Sequence, residues 1–204
     1  PGRRSWLTGP GRGRLLFVMR ASCSPAARIA ILAAAAFLVL VLPLPALAQW
    51  LPGGNPVCDA IYEQDGIAML PDGAGGVYIA WHDSRGYIPP DLYPRDIFVS
   101  RLTGAGTTAP GWPASGLLVC SAPNNQWYPK LAPDGAGGVI VCWQDDRNPA
   151  TEADVYAQHV LGTGVVDPAW TPNGVRLTRA LRFQYTVGAV SDGAGGAIVL
   201  WQDW

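Results

Sequence analysis

Acidic residues are missing from the first 58 positions of this 204-residue chain, and lysine is almost missing from all of it, Lys130 being the only one. The acid-free stretch carries Arg3, Arg4, Arg12, Arg14, Arg20 and Arg28 and one unbroken apolar run, Ile29–Leu42. Read from Met19, Arg20 and Arg28 give a positive start. Pro43 and Pro45 end any helix after the run, and Ala46-Leu47-Ala48 presents the small residues a signal peptidase needs. The pattern predicts a signal-peptide helix over 19–48, cleaved after Ala48, with 1–18 as an untranslated or disordered upstream segment. An uncleaved anchor is the alternative, because Ile29–Ala48 would just reach across a bilayer at about 20 residues; the prolines and the Ala-x-Ala favour cleavage. Export would make the remainder secreted or displayed at the cell surface. Beyond Ala48 the balance inverts to eight basic against fifteen acidic residues, net −7. That excludes nucleic acid, which asks for a basic stripe, and an anionic membrane surface, and it suits solubility outside the cell.

Other absences narrow the chemistry. No Cys-x-x-Cys and no Cys/His cluster accompanies Cys58, Cys120 and Cys142, which argues against a metal site. Cys23 precedes the apolar run and would leave with the leader. There is no Asp-x-Asp-x-Asp-Gly loop, so calcium would have only Asp145-Asp146 with Asp154 to bind it, and no cofactor is expected. No nucleophile–His–carboxylate spacing is visible. His82 stands where the other copies of its segment have Gln144 and Gln202, which indicates a polar neighbour; His159 aligns with Arg101, which predicts a solvated strand position. After Gln49 no helical periodicity appears, so whatever covers the strands must itself be sheet.

What is present is one phrase said three times: PDGAGGVYIAWHD from Pro71, PDGAGGVIVCWQD from Pro133 and SDGAGGAIVLWQD from Ser191, with Asp72, Asp134 and Asp192 spaced 62 and 58 residues apart. A fixed period of this size marks a repeat architecture. Trp81, Trp143 and Trp201 follow at a constant distance, then Asp83, Asp145 and Asp203, then Arg85 and Arg147. Trp112 and Trp170, Gly116 and Gly174, and Gln64, Gln126 and Gln184 also recur in register. Cys58 and Cys120 share one position with Thr178. Residues equivalent in neighbouring repeats sit too far apart to bridge, so buried free thiols are expected. The only length difference falls after Arg85, which marks a surface loop.

Each repeat contains four strand candidates, in the second Tyr128–Asp134, Gly138–Asp145, Asp154–Val160 and Val175–Ala180. Asp134-Gly135-Ala136-Gly137-Gly138 reads as a hairpin turn, since tight hairpins need positive φ. A phosphate-cradling loop would need a helix after the glycines, and a β-rich run follows instead. Val139-Ile140-Val141-Cys142-Trp143 is apolar on both faces, so its sheet is covered on both sides. Four-stranded antiparallel sheets covered by copies of themselves are blades of a β-propeller; the all-β reading is therefore an incomplete propeller over 49–204, with a two-layer sandwich as alternative. Trp50–Asp59 resembles Trp112–Ser121, as an outer strand closing a ring would. The chain stops inside the third phrase, at Trp201-Gln202-Asp203-Trp204, so more blades are expected in the gene, and the fragment alone would expose sheet edges and apolar faces and be poorly soluble.

Tyr128-Pro129-Lys130-Leu131, Asp134-Gly135, Val141-x-Trp143-x-Asp145-x-Arg147 and Asp154-Val155-x-x-Gln158-His159, in that order, resemble the blades of sialidase-like, Asp-box β-propellers. The likeness is closer to secreted bacterial proteins built of Trp-x-Asp-x-Arg repeats. Leu102-Thr103-Gly104-Ala105-Gly106-Thr107 before Trp112 keeps the glycines and tryptophan of an Asp-box but lacks its Asp. The arginine that precedes an Ile-Pro in sialidases is Tyr128 before Pro129 here. The resemblance thus implies the fold and not the activity.

If blade order follows that resemblance, the segments around Gln64, Gln126-Trp127 and Gln184 share one face with 83–95 and 145–153. The ligand site is expected there: Asp83, Arg85, Asp145 and Arg147 for sugar hydroxyls or carboxylates, Tyr87, Tyr93 and Trp127 for stacking on a sugar ring. Residues recurring in every unit are also those expected to hold the unit together. On that reading the second Asp of each phrase caps a turn, the Arg pairs with it, and the Gln binds backbone between blades, while Asp72, Trp81, Asp134, Trp143, Asp192 and Trp201 are scaffold. The functional expectation is a secreted, non-enzymatic module for binding or display, its partner a carbohydrate or another surface protein. The alternatives are a sialidase-like glycoside hydrolase, with carboxylates as acid and base, and a structural spacer.

Overall fold

The computed structural model describes residues 51–86, 94–148, 150 and 152–204. The expected upstream segment, the signal peptide with its cleavage after Ala48, and the loop residues Tyr87 and Tyr93 lie outside the described residues. The described chain is all-β and antiparallel: β1 (Gln64–Pro71), β2 (Val77–Asp83), β3 (Asp96–Leu102), β4 (Leu117–Cys120), β5 (Gln126–Pro133), β6 (Val139–Asp145), β7 (Asp154–Leu161), β8 (Val165–Val166), β9 (Val175–Arg176), β10 (Gln184–Ser191) and β11 (Ala197–Asp203). They form three sheets: β1-β2-β3-β4; β5-β6-β7 with β8 and β9 both on β7; and β10-β11.

The repeated phrase explains the hairpins. Asp134 Oδ1 accepts the amides of Ala136 at 2.7 Å and Gly138 at 2.8 Å, while the Asp134 amide donates to the Gly138 carbonyl at 3.3 Å. Asp72 binds Ala74 and Gly76 in the same way, and Asp192 binds Ala194 and Gly196. A Cβ on Gly138 would come within 2.5 Å of both Asp134 Oδ2 and the Val160 carbonyl, so no other residue fits beneath the turn. The first strand of each hairpin is irregular at one place, between Asp65 and Ala68, Trp127 and Lys130, and Thr186 and Gly188. A bulge there re-aims the side chains beside it.

Strand alternation sorts residues between layers. Val139, Val141 and Trp143 on one face of β6 meet Tyr78, Ala80, Ile97 and Val99 of the first sheet. Ile140 and Cys142 on the other face meet Ala189, Ala197 and Val199 of the third. All seven residues of β6 are therefore buried, and the β-branched run suits a strand covered on both sides. β1 and β10 both lie against β5. The three sheets thus stack as three layers, one more than the sandwich alternative.

The fourth strand of the second repeat is shorter than the expected Val175–Ala180: the paired residues end at Arg176, with one further backbone bond from the Leu177 amide to the Val155 carbonyl at 2.8 Å. The cause is local. Thr178 Oγ1 takes the Val155 amide at 2.9 Å, so a side chain replaces the backbone acceptor that would extend the ladder. A short β8, unforeseen from the sequence, prolongs the β7 edge through the Leu161-Gly162-Thr163-Gly164 turn, where Gly164 has φ 80°.

Candidate functional site

The recurring Trp-x-Asp-x-Arg segment closes on itself. The Trp143 indole donates to Asp145 Oδ2 at 2.7 Å, the Arg147 guanidinium binds both carboxylate oxygens at 2.6 and 2.8 Å, and the Arg147 amide donates to Oδ1 at 2.9 Å. Arg147 also reaches Cys120 Sγ and the Asn173 carbonyl and lies 3.9 Å above the Tyr156 ring. The first sheet repeats this: Trp81 and Arg85 hold Asp83, and Arg85 reaches Cys58 Sγ and the Ser115 carbonyl, 3.8 Å above Phe98. Asp83 and Asp145 are both 0% exposed. Burial works against the charge of Asp83, yet Arg85, the indole of Trp81 and the Arg85 amide outweigh it and hold the carboxyl below its usual range. Four of the seven residues expected to meet a ligand therefore spend their polar atoms on one another. Their turn-capping and pairing follow the structural expectation for them.

The glutamines anchor connectors. The Gln126 side chain donates to the carbonyls of Ala122 and Pro123, that of Gln184 to Leu181 and Arg182, and that of Gln64 to Ile61 and Tyr62. Tyr62, Asn124 and Arg182, each two residues before its glutamine, adopt positive φ of 70°, 63° and 74°. The Gln126 amide donates to the Arg95 carbonyl and the Gln184 amide to the Ala153 carbonyl. The two expected loop sets therefore meet at one end of the sheets.

At that end the first seam is filled. Arg95 lies 4.3 Å over the Trp127 ring and pairs with Glu63 at 3.0 Å, while the Trp127 indole donates to Asp146. Trp127 stacks on Tyr128, and both rings stand edge-on to His82. His82 is buried between Asp65, which its Nε2 contacts, and the Tyr128 amide, which donates to Nδ1 at 3.4 Å. Burial, with the charge of Arg95, pushes the His82 pKa down against the pull of Asp65. A neutral ring with Nδ1 as acceptor matches that direction, and these are the polar neighbours its glutamine counterparts implied. The second seam is open. Tyr185 stands in the place of Trp127 and Trp204 in that of Asp146; with Phe183, Arg182 and Glu152 they line a cleft of about 310 Å³. The Phe183 and Tyr185 rings stack 5.8 Å apart at 17°. An aromatic residue after the Gln in two repeats was the available signal for this cleft. Arg182, Glu152 and Trp204 carry none.

Two titratable groups stand out, and the first differs from expectation. His159 is not solvated: it bridges Asp134 at 2.9 Å and Asp167 at 2.8 Å. Its equivalent Arg101 binds Asp72 at the same place in the first sheet, so a cation on the hairpin Asp is the shared requirement. Burial disfavours the charged ring, but the two carboxylates raise its pKa. Asp96 is the other case. Its counterpart Asp154 is paired with Arg176 at 2.8 Å, whereas the register places Leu118 where Arg176 would stand. Burial, then the neighbouring Asp83 charge, raises the Asp96 pKa to about 6 despite Arg85. The folded value lies above that of the unfolded chain, near 3.9. The stability from protonated Asp96 is therefore complete below about pH 4 and lost as pH rises through about 6, a loss on the order of 1 kcal/mol after solvent screening of a half-buried group. Urea titrations at pH 4.5 and 7.5 should show this loss in the parent and its disappearance in Leu118→Arg.

The carboxylates considered for calcium are each turned to a donor: Asp145 to Arg147, Asp146 to Trp127 and Asp154 to Arg176. Among the described residues no three His, Cys, Asp or Glu side chains are grouped to hold a metal ion. Cys58, Cys120 and Cys142 are free thiols, and burial pushes Cys120 and Cys142 up to about 12, out of the nucleophilic range. No protein-family model, curated protein or solved structure matches the chain.

Proposed function

We propose that this chain is part of a secreted or surface-displayed β-propeller that binds rather than catalyses, its ligand a carbohydrate or the glycan of another surface protein. The carrying observation is the open cleft of Glu152, Arg182, Phe183, Tyr185 and Trp204 at the loop end. Its size falls at the lower end of small-ligand sites, about 300–1,000 Å³, and it joins flat rings to one cation and one anion. Rings offer a sugar its apolar face, and Arg182 offers a carboxylate or hydroxyl a charge-assisted donor. The propeller reading is supported by sheets that cover one another face to face and by β1, β5 and β10 running together at the contact. The resemblance to Trp-x-Asp-x-Arg repeat proteins supports the same reading, and the arginine-rich, acid-free leader supports export.

A glycan array probed with the chain, followed by calorimetric titration of the best acidic oligosaccharide, tests the proposal. Arg182→Ala and Tyr185→Ala should each weaken binding about 10- to 100-fold, the loss of one charged or ring contact of roughly 1.5–3 kcal/mol. No binding to any glycan would leave the spacer reading. The hydrolase reading has one observation of its own, because Asp96 recurs as Asp154 but has Leu118 across the sheet where Asp154 has Arg176. Turnover of an aryl glycoside abolished by Asp96→Asn would replace the binding proposal with it.

A further inference from the structure

His159 is held at both ring nitrogens. Nε2 lies 2.9 Å from Asp134 Oδ2, and Nδ1 lies 2.8 Å from Asp167 Oδ2. Each carboxylate keeps its other oxygen for its own turn: Asp134 Oδ1 accepts the amides of Ala136 and Gly138, and Asp167 Oδ1 accepts that of Ala169. An ionised carboxyl only accepts, and an imidazole has two N–H donors only when it is protonated. Both carboxyls stay ionised. Burial opposes the Asp134 charge, but His159 and the turn amides outweigh it, and the Ala169 amide and His159 lower the Asp167 pKa. The arrangement is therefore complete only around an imidazolium. The first repeat keeps the backbone of the same corner: its Ala109 amide donates to the Arg101 carbonyl at 2.8 Å, as the Asp167 amide donates to the His159 carbonyl at 2.9 Å. There, however, a permanent cation, Arg101, pairs with Asp72, and Ala109 stands in the place of the second carboxylate. Two departures between the repeats, His for Arg and Asp for Ala, thus meet at one point.

We propose that Asp134, His159 and Asp167 form a pH-operated clasp, closed while His159 is protonated, that fastens segment 161–170 to the β5–β6 turn. A neutral ring retains one N–H and turns a lone pair toward the other carboxylate. Asp134 is the more buried of the two, and a buried acceptor left without its donor costs more than an exposed one. The remaining proton stays on Nε2, and Asp167 is released. The released segment matters because it touches both neighbouring layers. Its Gly162 carbonyl accepts the Trp112 indole at 3.2 Å, and a Cβ on Gly111 would lie 2.7 Å from its Thr163 carbonyl. Its Trp170 packs on the cluster of Ile140, Cys142 and Ala157 that the third sheet covers. Of the other charged side chains at these turns, Arg101 is held by Asp72 and reaches the Gly162 carbonyl at 3.5 Å, and Asp192 is held by the amides of Ala194 and Gly196. The ring otherwise faces Trp170, tilted at 5.9 Å. The folded pKa of His159 is raised. The stability from the clasp is therefore complete below the unfolded histidine value, near 6.5, and lost as pH rises through the folded value.

Long-range proton–nitrogen NMR of the imidazole rings from pH 5 to 9 tests the clasp in the whole chain, which has two histidines. His159 should carry a proton on each nitrogen at pH 6 and titrate above about 6.5. Asp167→Asn, which keeps the shape and removes the charge, should lower that midpoint. Hydrogen exchange gives a second readout, at the amides of Asp167, Ala169 and Trp170 that the clasped turn binds. Corrected for intrinsic rates, their protection should fall with rising pH, about tenfold for each unit by which the His159 midpoint exceeds about 6.5. His159→Arg, which installs the permanent cation of the first repeat, should abolish the fall. Asp96 changes stability with pH in the same sense, but it lies at the other end of the first sheet and is untouched in this variant, so the difference between parent and variant belongs to His159. A midpoint at or below about 6.5, a single ring proton at pH 6, or protection that falls equally in parent and His159→Arg would each overturn the proposal. The first two are read on the parent and decide the question even if a variant misfolds. Glycan binding at the Tyr185 cleft plays no part in this test and stands or falls independently.

Discussion

Asp145→Ala should cost the protein about 3–5 kcal/mol of folding stability, the usual consequence of removing one partner of a buried ion pair. Four donors converge on that carboxylate: the indole of Trp143, the Nε and a terminal amine of Arg147, and the Arg147 amide. Alanine would leave the indole N–H and the guanidinium without their acceptor. Arg147 cannot swing to water without abandoning Cys120, Asn173 and the Tyr156 ring. The loss is mostly the penalty of an uncompensated charge, so Asp145→Ala with Arg147→Met should recover part of it. Asp83→Ala should behave alike, since Trp81 and Arg85 hold Asp83 in the same geometry. Asp203, third in the series, is exposed and among the described residues accepts a 3.2 Å bond from Gln184, so its alanine variant should cost under about 1 kcal/mol. Urea unfolding of the three variants measures the gradient. Equal losses at all three positions would mean that the Trp-x-Asp-x-Arg contacts are not what holds the hairpins.

Gly174→Ala should cost about 3 kcal/mol, from two independent sources. Gly174 has φ +95°, where a Cβ costs roughly 1–2 kcal/mol, and that Cβ would lie 2.6 Å from the Trp143 ring and 3.0 Å from the Ala157 carbonyl. Trp143 is closed in on every side, so the ring has nowhere to move, and forcing a methyl into a packed core costs about 1–3 kcal/mol. Gly116 stands against Trp81 in the same way. Gly53, which has no neighbour within 4 Å and no positive φ, provides the contrast: its alanine variant should move stability by less than about 0.5 kcal/mol. Thermal melts of the two variants, followed by tryptophan fluorescence, separate the cases.

The hairpins were legible because their cause is local. An Asp followed by Gly-Ala-Gly-Gly carries its own acceptor and its own positive-φ positions, so three copies of the phrase read directly as three turns. The double apolar face of Val139–Trp143 likewise announced burial on both sides. The short fourth strand was not legible, because Val175–Ala180 has strand composition and only the Thr178 hydroxyl, placed by tertiary structure, ends the pairing. His159 misled for a related reason. Alignment with Arg101 gave its position correctly, but arginines are so often solvated that the shared partner, the hairpin Asp of the same sheet, was hidden. Asp96 was hidden too: burial and the neighbouring Asp83 charge raise its pKa, and the place across the sheet where Asp154 finds Arg176 is filled by Leu118 without any mark in the sequence. The cleft of Tyr185 and Trp204 was half visible, as an aromatic after glutamine. What the sequence could not supply was which seam stays open.

The Trp-x-Asp-x-Arg contact draws its principal partners from one strand end, two residues apart. Each repeat therefore comes with its own fastening already inside it, and the two faces it offers to its neighbours are a matched pair. A whole repeat can be duplicated or deleted without compensating substitutions elsewhere, provided the cut falls at a connector such as 121–125. Chains of this kind are expected to differ in length by whole steps of about sixty residues, the period of the repeated phrase. Substitutions at positions that the fastening leaves unused, such as 96, 118 and 185, would then leave it intact.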